Sequence, residues 1–267
     1  MGVMTEATVV VDRSASGVAT VRIDRPDALN ALDLPTKVAL RDALAEVAAD
    51  DGVRCVVLTG TGRAFCVGQD LREHVANLTA GSGELSTTVA DHYNPIATTL
   101  ATMDKPVVAA LGGVAAGAGM SFALAADFRV MAESASMTTA FAGIGLSCDS
   151  GASYWLPRLV GPARAKDLLM FPRSVPAQEC LELGLATHVV PTDGFDAAVA
   201  ELADRLAAGP TLAFAAIRHL VADGPVSTLA DALAAEGASM RTTGATQDHR
   251  DAVEAFVAKE RPVFHGR

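Results

Sequence analysis

The sequence predicts an α/β fold, and three observations predict it. Short runs rich in Val, Ile and Ala alternate with stretches of helical periodicity through the first half of the chain. That alternation is the mark of parallel strands joined by helical crossovers. After Ser150 the pattern becomes helix upon helix. Third, half of the 267 residues are hydrophobic but only 4% are aromatic, so the core is expected to consist of close-packed small aliphatic side chains.

Thr8 to Arg13 and Val18 to Ile23 are β-branched runs separated by Ser14-Ala15-Ser16-Gly17, the pattern of a hairpin. Asp24-Arg25-Pro26-Asp27 breaks it. Leu34 to Asp50 is expected to be helical, with Leu40, Leu44 and Val47 on one face. Val53 to Thr59 is an expected strand, and Ala64 to Leu71 reads as a strand end turning at Gly68. Leu71 to about Thr87 has no firm periodicity and is expected to be a mobile loop with some helix. Val89 to Met103 should be one helix and Val107 to Leu111 a buried strand. Gly112 to Asp127, reading GGVAAGAGMSFALAAD, then places a glycine-rich turn between strand and buried helix. Phe128 to Ala132 and Ser136 to Thr139 read as short strands. Seven helices are expected beyond them, at 150–160, 162–171, 177–183, 195–208, 211–222, 228–241 and 247–259, with a brief extended piece at Val189-Val190. Residues 1–200 are expected to form the core with the site. Residues 201–267 are expected to form a helical region of the same functional unit, packing on the core or on another subunit.

Lysine and arginine total 21 against 31 acids, a formal charge of −10. That balance, with no basic run, argues against nucleic acid as a partner. Cys55, Cys66, Cys148 and Cys180 show neither CxxC spacing nor a neighbouring histidine at metal-site spacing, so no metal is expected. They read as reduced thiols in a cytoplasmic protein. The start, MGVMTEATVVVDR, lacks the pattern of a signal peptide, and no uncharged apolar run of about 18 residues is present, so no membrane span is expected. Gly117 and Gly119 begin a GxGxxG pattern, but Phe122 stands where its third glycine belongs. Walker A, HExxH and GxSxG motifs do not occur.

Two turns share a form. Gly68-Gln69 and Gly117-Ala118 each follow a strand and precede a helix. The N–H groups at such a place are free and the helix dipole favours negative charge there. If the two strands are neighbours, the N–H groups of Gln69 and Ala118 converge; the alternative is two ordinary strand-to-helix turns.

Ala64-Phe65-Cys66-Val67-Gly68-Gln69-Asp70-Leu71 and Lys105-Pro106-Val107 through Gly112-Gly113-Val114-Ala115-Ala116-Gly117-Ala118-Gly119 resemble the two signatures of the crotonase superfamily, the enoyl-CoA hydratases and isomerases. Arg25-Pro26-Asp27-Ala28-Leu29-Asn30-Ala31-Leu32 resembles the family's N-terminal loop, and Leu156 to Gly161 and Ala177 to Ala186 extend the match over nearly the whole chain. The resemblance implies a spiral of ββα turns, a C-terminal helical trimerisation region, and a homotrimer or a hexamer built as a dimer of trimers. It implies an acyl-CoA thioester as substrate and no further cofactor. The thioester oxygen would lie between the N–H groups of Gln69 and Ala118, each donor being worth about 3 kcal/mol in such a site.

The resemblance also exposes a departure. Where the family's hydratases carry two glutamates, this chain has Ser121 and Phe141, neither able to move a proton as a carboxylate does. One carboxylate stands nearby, Asp149, at a position matching the aspartate of dienoyl-CoA isomerases and of the branch that isomerises the ring of epoxidised phenylacetyl-CoA. The resemblance to that branch includes Gly68-Gln69-Asp70, Asp91-His92-Tyr93-Asn94-Pro95 and Ala115-Ala116-Gly117-Ala118-Gly119. Asp149 is therefore the expected acid/base residue, the local alternative being an N-cap for the following helix. The resemblance further implies CoA contacts from Leu29 and from Arg72, whose alternative is a solvated helix face, and from Lys259 and Arg261. His92, Tyr93, Ser121 and Phe141 are candidates for the acyl pocket. The expected activity is double-bond or ring isomerisation; alternatives are an enoyl-CoA hydratase and a CoA-thioester binding protein with little catalysis.

Overall fold

Residues 7–81 and 87–267 are described by the computed structural model. Strand β1 (Val9–Arg13) pairs antiparallel with β2 (Val18–Ile23), as the hairpin pattern requires. Helix α1 (Leu34–Ala49) begins on Asp33, whose carboxylate accepts from the Thr36 N–H, and buries Leu40, Leu44 and Val47. From there the chain repeats one unit. β3 (Cys55–Gly60) is followed by β4 (Ala64–Cys66) and α2 (Leu71–Ala80). A π-helical turn (Val89–Tyr93) leads into α3 (Asn94–Thr102). β5 (Val107–Leu111) is followed by β6 (Val114–Ala116) and α4 (Ala118–Ala125). β7 (Phe128–Ala132) is followed by β8 (Ser136–Thr138), α5 (Ala152–Val160) and α6 (Pro162–Met170). β9 (Val175–Pro176), α7 (Ala177–Leu183) and β10 (His188–Val190) complete the sheets.

The first strand of each unit joins one sheet and the second joins another, so the units stack as a spiral. The larger sheet runs β1-β2-β3-β5-β7-β10 and the smaller β4-β6-β8-β9. Apart from β1 in the first and β9 in the second, each strand pairs parallel with its neighbours. Central strands of such a sheet are covered on both faces and read as continuous apolar runs. In β3, Val56 and Leu58 face the main core between sheets and helices. Cys55 and Val57 face the opposite side, where Leu202, Ala203 and Leu206 of α8 (Phe195–Ala207) cover them.

A division at residue 200 therefore falls inside a helix that belongs to the core. α9 (Thr211–Asp223) still packs on the core through Phe214 and buries Ala215, and the segments that leave the core are α10 (Leu229–Gly244) and α11 (Gln247–Ala258). α10 has no buried residue. Two other expectations change. Leu71–Ala80 is a regular helix, while the rest of that expected loop, residues 82–86, lies outside the described residues. The single helix expected over 89–103 is a π-turn and an α-helix joined at Asn94-Pro95. The expectation about the chain's extreme N-terminus likewise concerns residues 1–6, outside those described.

Candidate active site

The site is built where β4 and β6 end. These strands are parallel neighbours, pairing Ala64 with Val114 and Cys66 with Ala115. Their C-terminal turns therefore lie side by side. A Cβ built on Gly68 would stand 3.3 Å from the Ala118 nitrogen and 3.1 Å from the Ala116 carbonyl oxygen. Gly117 adopts φ 53°, ψ −123°, a conformation for glycine, and turns the chain abruptly from β6 into α4. Ala118 is the first residue of α4, so its N–H has no intrahelical acceptor.

The Gln69 N–H is left free by a different device. The Gly68 carbonyl accepts from the Leu32 N–H (2.8 Å) and the Asp70 N–H donates to the Leu32 carbonyl (3.2 Å). In extended chain the intervening N–H points the other way. Among the described residues neither the Gln69 nor the Ala118 N–H has a hydrogen-bond acceptor within the protein. Two adjacent free donors can hold an oxyanion.

The first turn is braced from below. Asp70 caps α2, accepting from the N–H groups of Arg72 and Glu73, and its carboxylate meets Arg25 at 3.2 Å. Burial pushes the Asp70 carboxyl up, but these hydrogen bonds and the guanidinium outweigh it and hold the group below its ordinary range. Arg25 also pairs with Asp33 at 2.9 Å, so one guanidinium joins the N-caps of α1 and α2.

Ser121 lies one turn into α4 and is buried. Its hydroxyl is within hydrogen-bond reach of the Gly117 carbonyl (3.0 Å) and of the Asp149 carbonyl (3.4 Å). It thereby joins the loop carrying Asp149 to the turn carrying Ala118. The Asp149 side chain is half-buried and accepts from the Ser150 hydroxyl at 2.7 Å. Burial pushes its carboxyl above the ordinary range, opposed by that one hydrogen bond. The N-cap alternative does not hold: α5 starts at Ala152, its N-cap is Gly151, and no side chain caps it.

The remaining candidates divide. Tyr93 is buried, donates from its hydroxyl to the Gln69 side-chain oxygen, and meets the edge of the Phe122 ring at 5.9 Å. Phe141 is buried with its ring 3.8 Å from where a Gly117 Cβ would stand. His92 is half-buried, and its Nδ1 is buried with no hydrogen-bond partner among the described residues. Leu29 takes a left-handed conformation (φ 54°) in a loop fastened by Asn30, whose amide donates to the carbonyls of Thr61 and Ala64. Arg72 is exposed at the start of α2 and its side chain forms no ion pair among the described residues. Lys259 and Arg261 are exposed at the end of α11, with no hydrogen bond or ion pair to residues of the site. No cluster of metal-ligating side chains occurs among the described residues. Cys55, Cys66 and Cys180 have thiols pushed by burial up to about 12, which makes them packing groups.

Sequence reasoning missed Lys37, Glu73 and Arg25, which brace the first turn. No local pattern could have found Lys37 and Arg25, whose partners there lie 32 to 45 positions away; Glu73 stands four residues after Gln69, a spacing that does meet on one helix face. It also gave no place to a cavity of about 800 Å³ that lies at the other end of α4 among Trp155, Phe214, Ile217 and Val221.

Comparison with known proteins decides the lineage. The sequence model of the enoyl-CoA hydratase/isomerase family matches residues 13–267. This chain belongs to the enoyl-CoA hydratase/isomerase family. Within that family it is 36% identical to 1,2-epoxyphenylacetyl-CoA isomerase of Escherichia coli K12, covering 97% of this chain and 98% of the relative. It is 38% identical to a Rhodobacter capsulatus protein provisionally named an enoyl-CoA hydratase, over 95% and 96% of the two chains. A crystal structure from Mycobacterium abscessus, provisionally assigned to enoyl-CoA hydratase/isomerase, superposes with a TM-score of 0.94 at 41% identity, covering 97% of this chain and all of the other. The family is one of acyl-CoA enzymes, and the relatives carry both isomerase and hydratase names.

Proposed function

We propose that this family member is an acyl-CoA isomerase that shifts a double bond or rearranges a ring through an enolate, with Asp149 as acid and base. The observation that carries the reading is the chemistry left at the position of the Ala118 turn. Ser121 is buried and engaged with backbone carbonyls, whereas Asp149, tied to the same turn, is a carboxylate whose burial holds its pKa up. The thioester oxygen takes the N–H groups of Gln69 and Ala118, Leu29 and Arg72 approach the CoA portion, and His92, Tyr93 and Phe141 border the acyl chain.

Asp149 removes a proton α or γ to the thioester. The electron pair moves into the conjugated system, and the negative charge settles on the thioester oxygen between the two N–H groups. Asp149, now a carboxylic acid, returns the proton at another carbon. Composition is unchanged, so a single proton-carrying group suffices. Hydration would require groups to orient and deprotonate water and to protonate the α-carbon.

Asp149→Asn is expected to lower turnover of a 3-enoyl-CoA, or of an epoxidised phenylacetyl-CoA, by about 10²–10⁴-fold. Unchanged turnover would sink the assignment. The hydratase name carried by the Rhodobacter capsulatus relative favours a second reading, hydration with Asp149 and a further group. Loss of the conjugated thioester absorbance of crotonyl-CoA on mixing with the protein would favour that one. Acyl-CoA binding without turnover on either substrate would leave a binding protein.

We also propose that the chain works as a homotrimer or a hexamer, with Lys259 and Arg261 reaching CoA phosphates of a neighbouring copy. The support is that both are exposed, just beyond the end of α11.

A further inference from the structure

We propose that Lys37, Glu73 and Tyr93 are positioning residues: they grip the side chain of Gln69 and so fix the direction of its N–H toward the enolate oxygen. The inference rests on the enolate reading above. As an oxyanion donor Gln69 needs only its backbone, yet its side chain is held at three points. Its Oε1 accepts from the Tyr93 hydroxyl and from Lys37 Nζ at 3.3 Å, and its Nε2 donates to Glu73 Oε1 at 3.1 Å. Lys37, on α1, is completely buried. A lysine is almost never so placed unless paired, and its Nζ also meets Glu73 Oε1 at 2.9 Å and Thr88 Oγ1 at 3.4 Å. Glu73 uses its second oxygen to accept from the Leu34 N–H at 2.7 Å, fastening the start of α1 to α2.

Tyr93 extends the grip to the other donor. Its ring packs edge-on to Phe122, which lies one turn after Ala118 on the same face of α4. One side chain therefore touches both elements that present the free N–H groups. The peptide that carries the Gln69 N–H is bound through the Gly68 carbonyl to the Leu32 N–H (2.8 Å), and the side-chain grip adds a second hold just after Gly68, which sits at φ 81°. An external hold matters there, because misplacement of about 1 Å can cost about 10²-fold in rate.

The test uses phenylacetyl-CoA labelled with ¹³C at its carbonyl and difference infrared spectroscopy. Donors that polarise the thioester lower its C=O stretch on binding. Gln69→Ala keeps the N–H and removes the gripped amide; Tyr93→Phe removes one oxygen. Both are expected to lose at least half of the wild-type downshift, with kcat down about 10-fold and KM within about 2-fold. Lys37→Met leaves Glu73 unpaired, so the double variant Lys37→Met/Glu73→Gln is used, and the same loss is expected. A downshift and kcat equal to wild type in Gln69→Ala and Tyr93→Phe, with only the melting temperature changed, would make the network purely structural and overturn the proposal. A wild-type protein that leaves the C=O stretch at its value in water would overturn the enolate reading, and this inference with it.

Discussion

At Asp149 the same burial that suits a general base carries a cost in stability, and the sign can be worked out. The folded state holds this carboxyl above the ordinary range, so it binds the proton more tightly than the unfolded chain, whose aspartates titrate near about 3.9. Between those two values the folded state carries more protons than the unfolded state, so stability falls as pH rises through that window and stays lowered above it. Asp149→Asn is thus expected to raise the denaturation midpoint at neutral pH and to leave it unchanged below about pH 3, where both proteins carry a neutral side chain. Denaturant titrations at the two pH values measure this. Activity runs the other way: only ionised Asp149 removes a proton, so kcat/KM should fall on the acid side with an apparent pKa above that of a free aspartate. An acid limb at the free-aspartate value, or no stability gain in Asp149→Asn at neutral pH, would contradict the burial argument. At this scale the sequence was informative through absence. Ser121 and Phe141, where hydratases have glutamates, turned attention to Asp149. The roles of Lys37 and Arg25 were illegible, since each acts on the turn through partners that only folding brings near.

Elements explain why the two turns converge. β4 and α4 approach so closely that a Cβ on Gly119 would lie 2.2 Å from the Cys66 carbonyl oxygen. Gly119→Ala is therefore expected to push α4 off β4, destabilising the fold by about 3 kcal/mol and separating the Ala118 N–H from Gln69. Urea unfolding would show the first effect, and a smaller C=O downshift in bound phenylacetyl-CoA the second. An unperturbed Gly119→Ala would mean that the backbones yield without cost. Most strands and helices were readable because each buries a periodic apolar set, as Leu40, Leu44 and Val47 do on α1. α2 was not, and for a physical reason: it buries nothing, exposing Leu71, Val75 and Leu78. It is held by its ends, through Asp70 at the N-cap and Gly81 in left-handed conformation at the C-cap, rather than by a face. β4, β6 and β8, of three residues each, were visible as extended pieces, but their union in a second sheet was not. The convergence of the two turns, which the sequence could state only as a condition, depends on that union.

The whole molecule leaves apolar surface that one chain does not cover. Leu229, Leu233 and Met240 on α10, and Phe256 and Val257 on α11, are each more than half exposed, Phe256 at 82%. Helices whose apolar residues meet only water gain little from packing, and contiguous exposed apolar patches mark association surfaces. The cavity beyond α4 offers such residues a complementary wall, with Trp155, Phe214, Ile217 and Val221 in it. No helix among the described residues is long and apolar enough to cross a membrane. On the assembly proposed above, a copy of the same chain would supply both the residues and the wall. The purified protein is expected to sediment as three or six chains at micromolar concentration. Leu233→Glu with Phe256→Glu, both on exposed positions, should shift it to smaller species without unfolding the core, because neither residue touches the β-sheets. If Lys259 and Arg261 serve a neighbour's CoA, the dissociated variant should also show a raised KM for acyl-CoA, and Lys259→Ala in the intact assembly should raise KM in the same direction with kcat little changed. A wild-type protein that sediments as one chain while retaining full turnover would refute the assembly. A dissociated variant with wild-type KM would confine these helices to association and take Lys259 and Arg261 out of the CoA site.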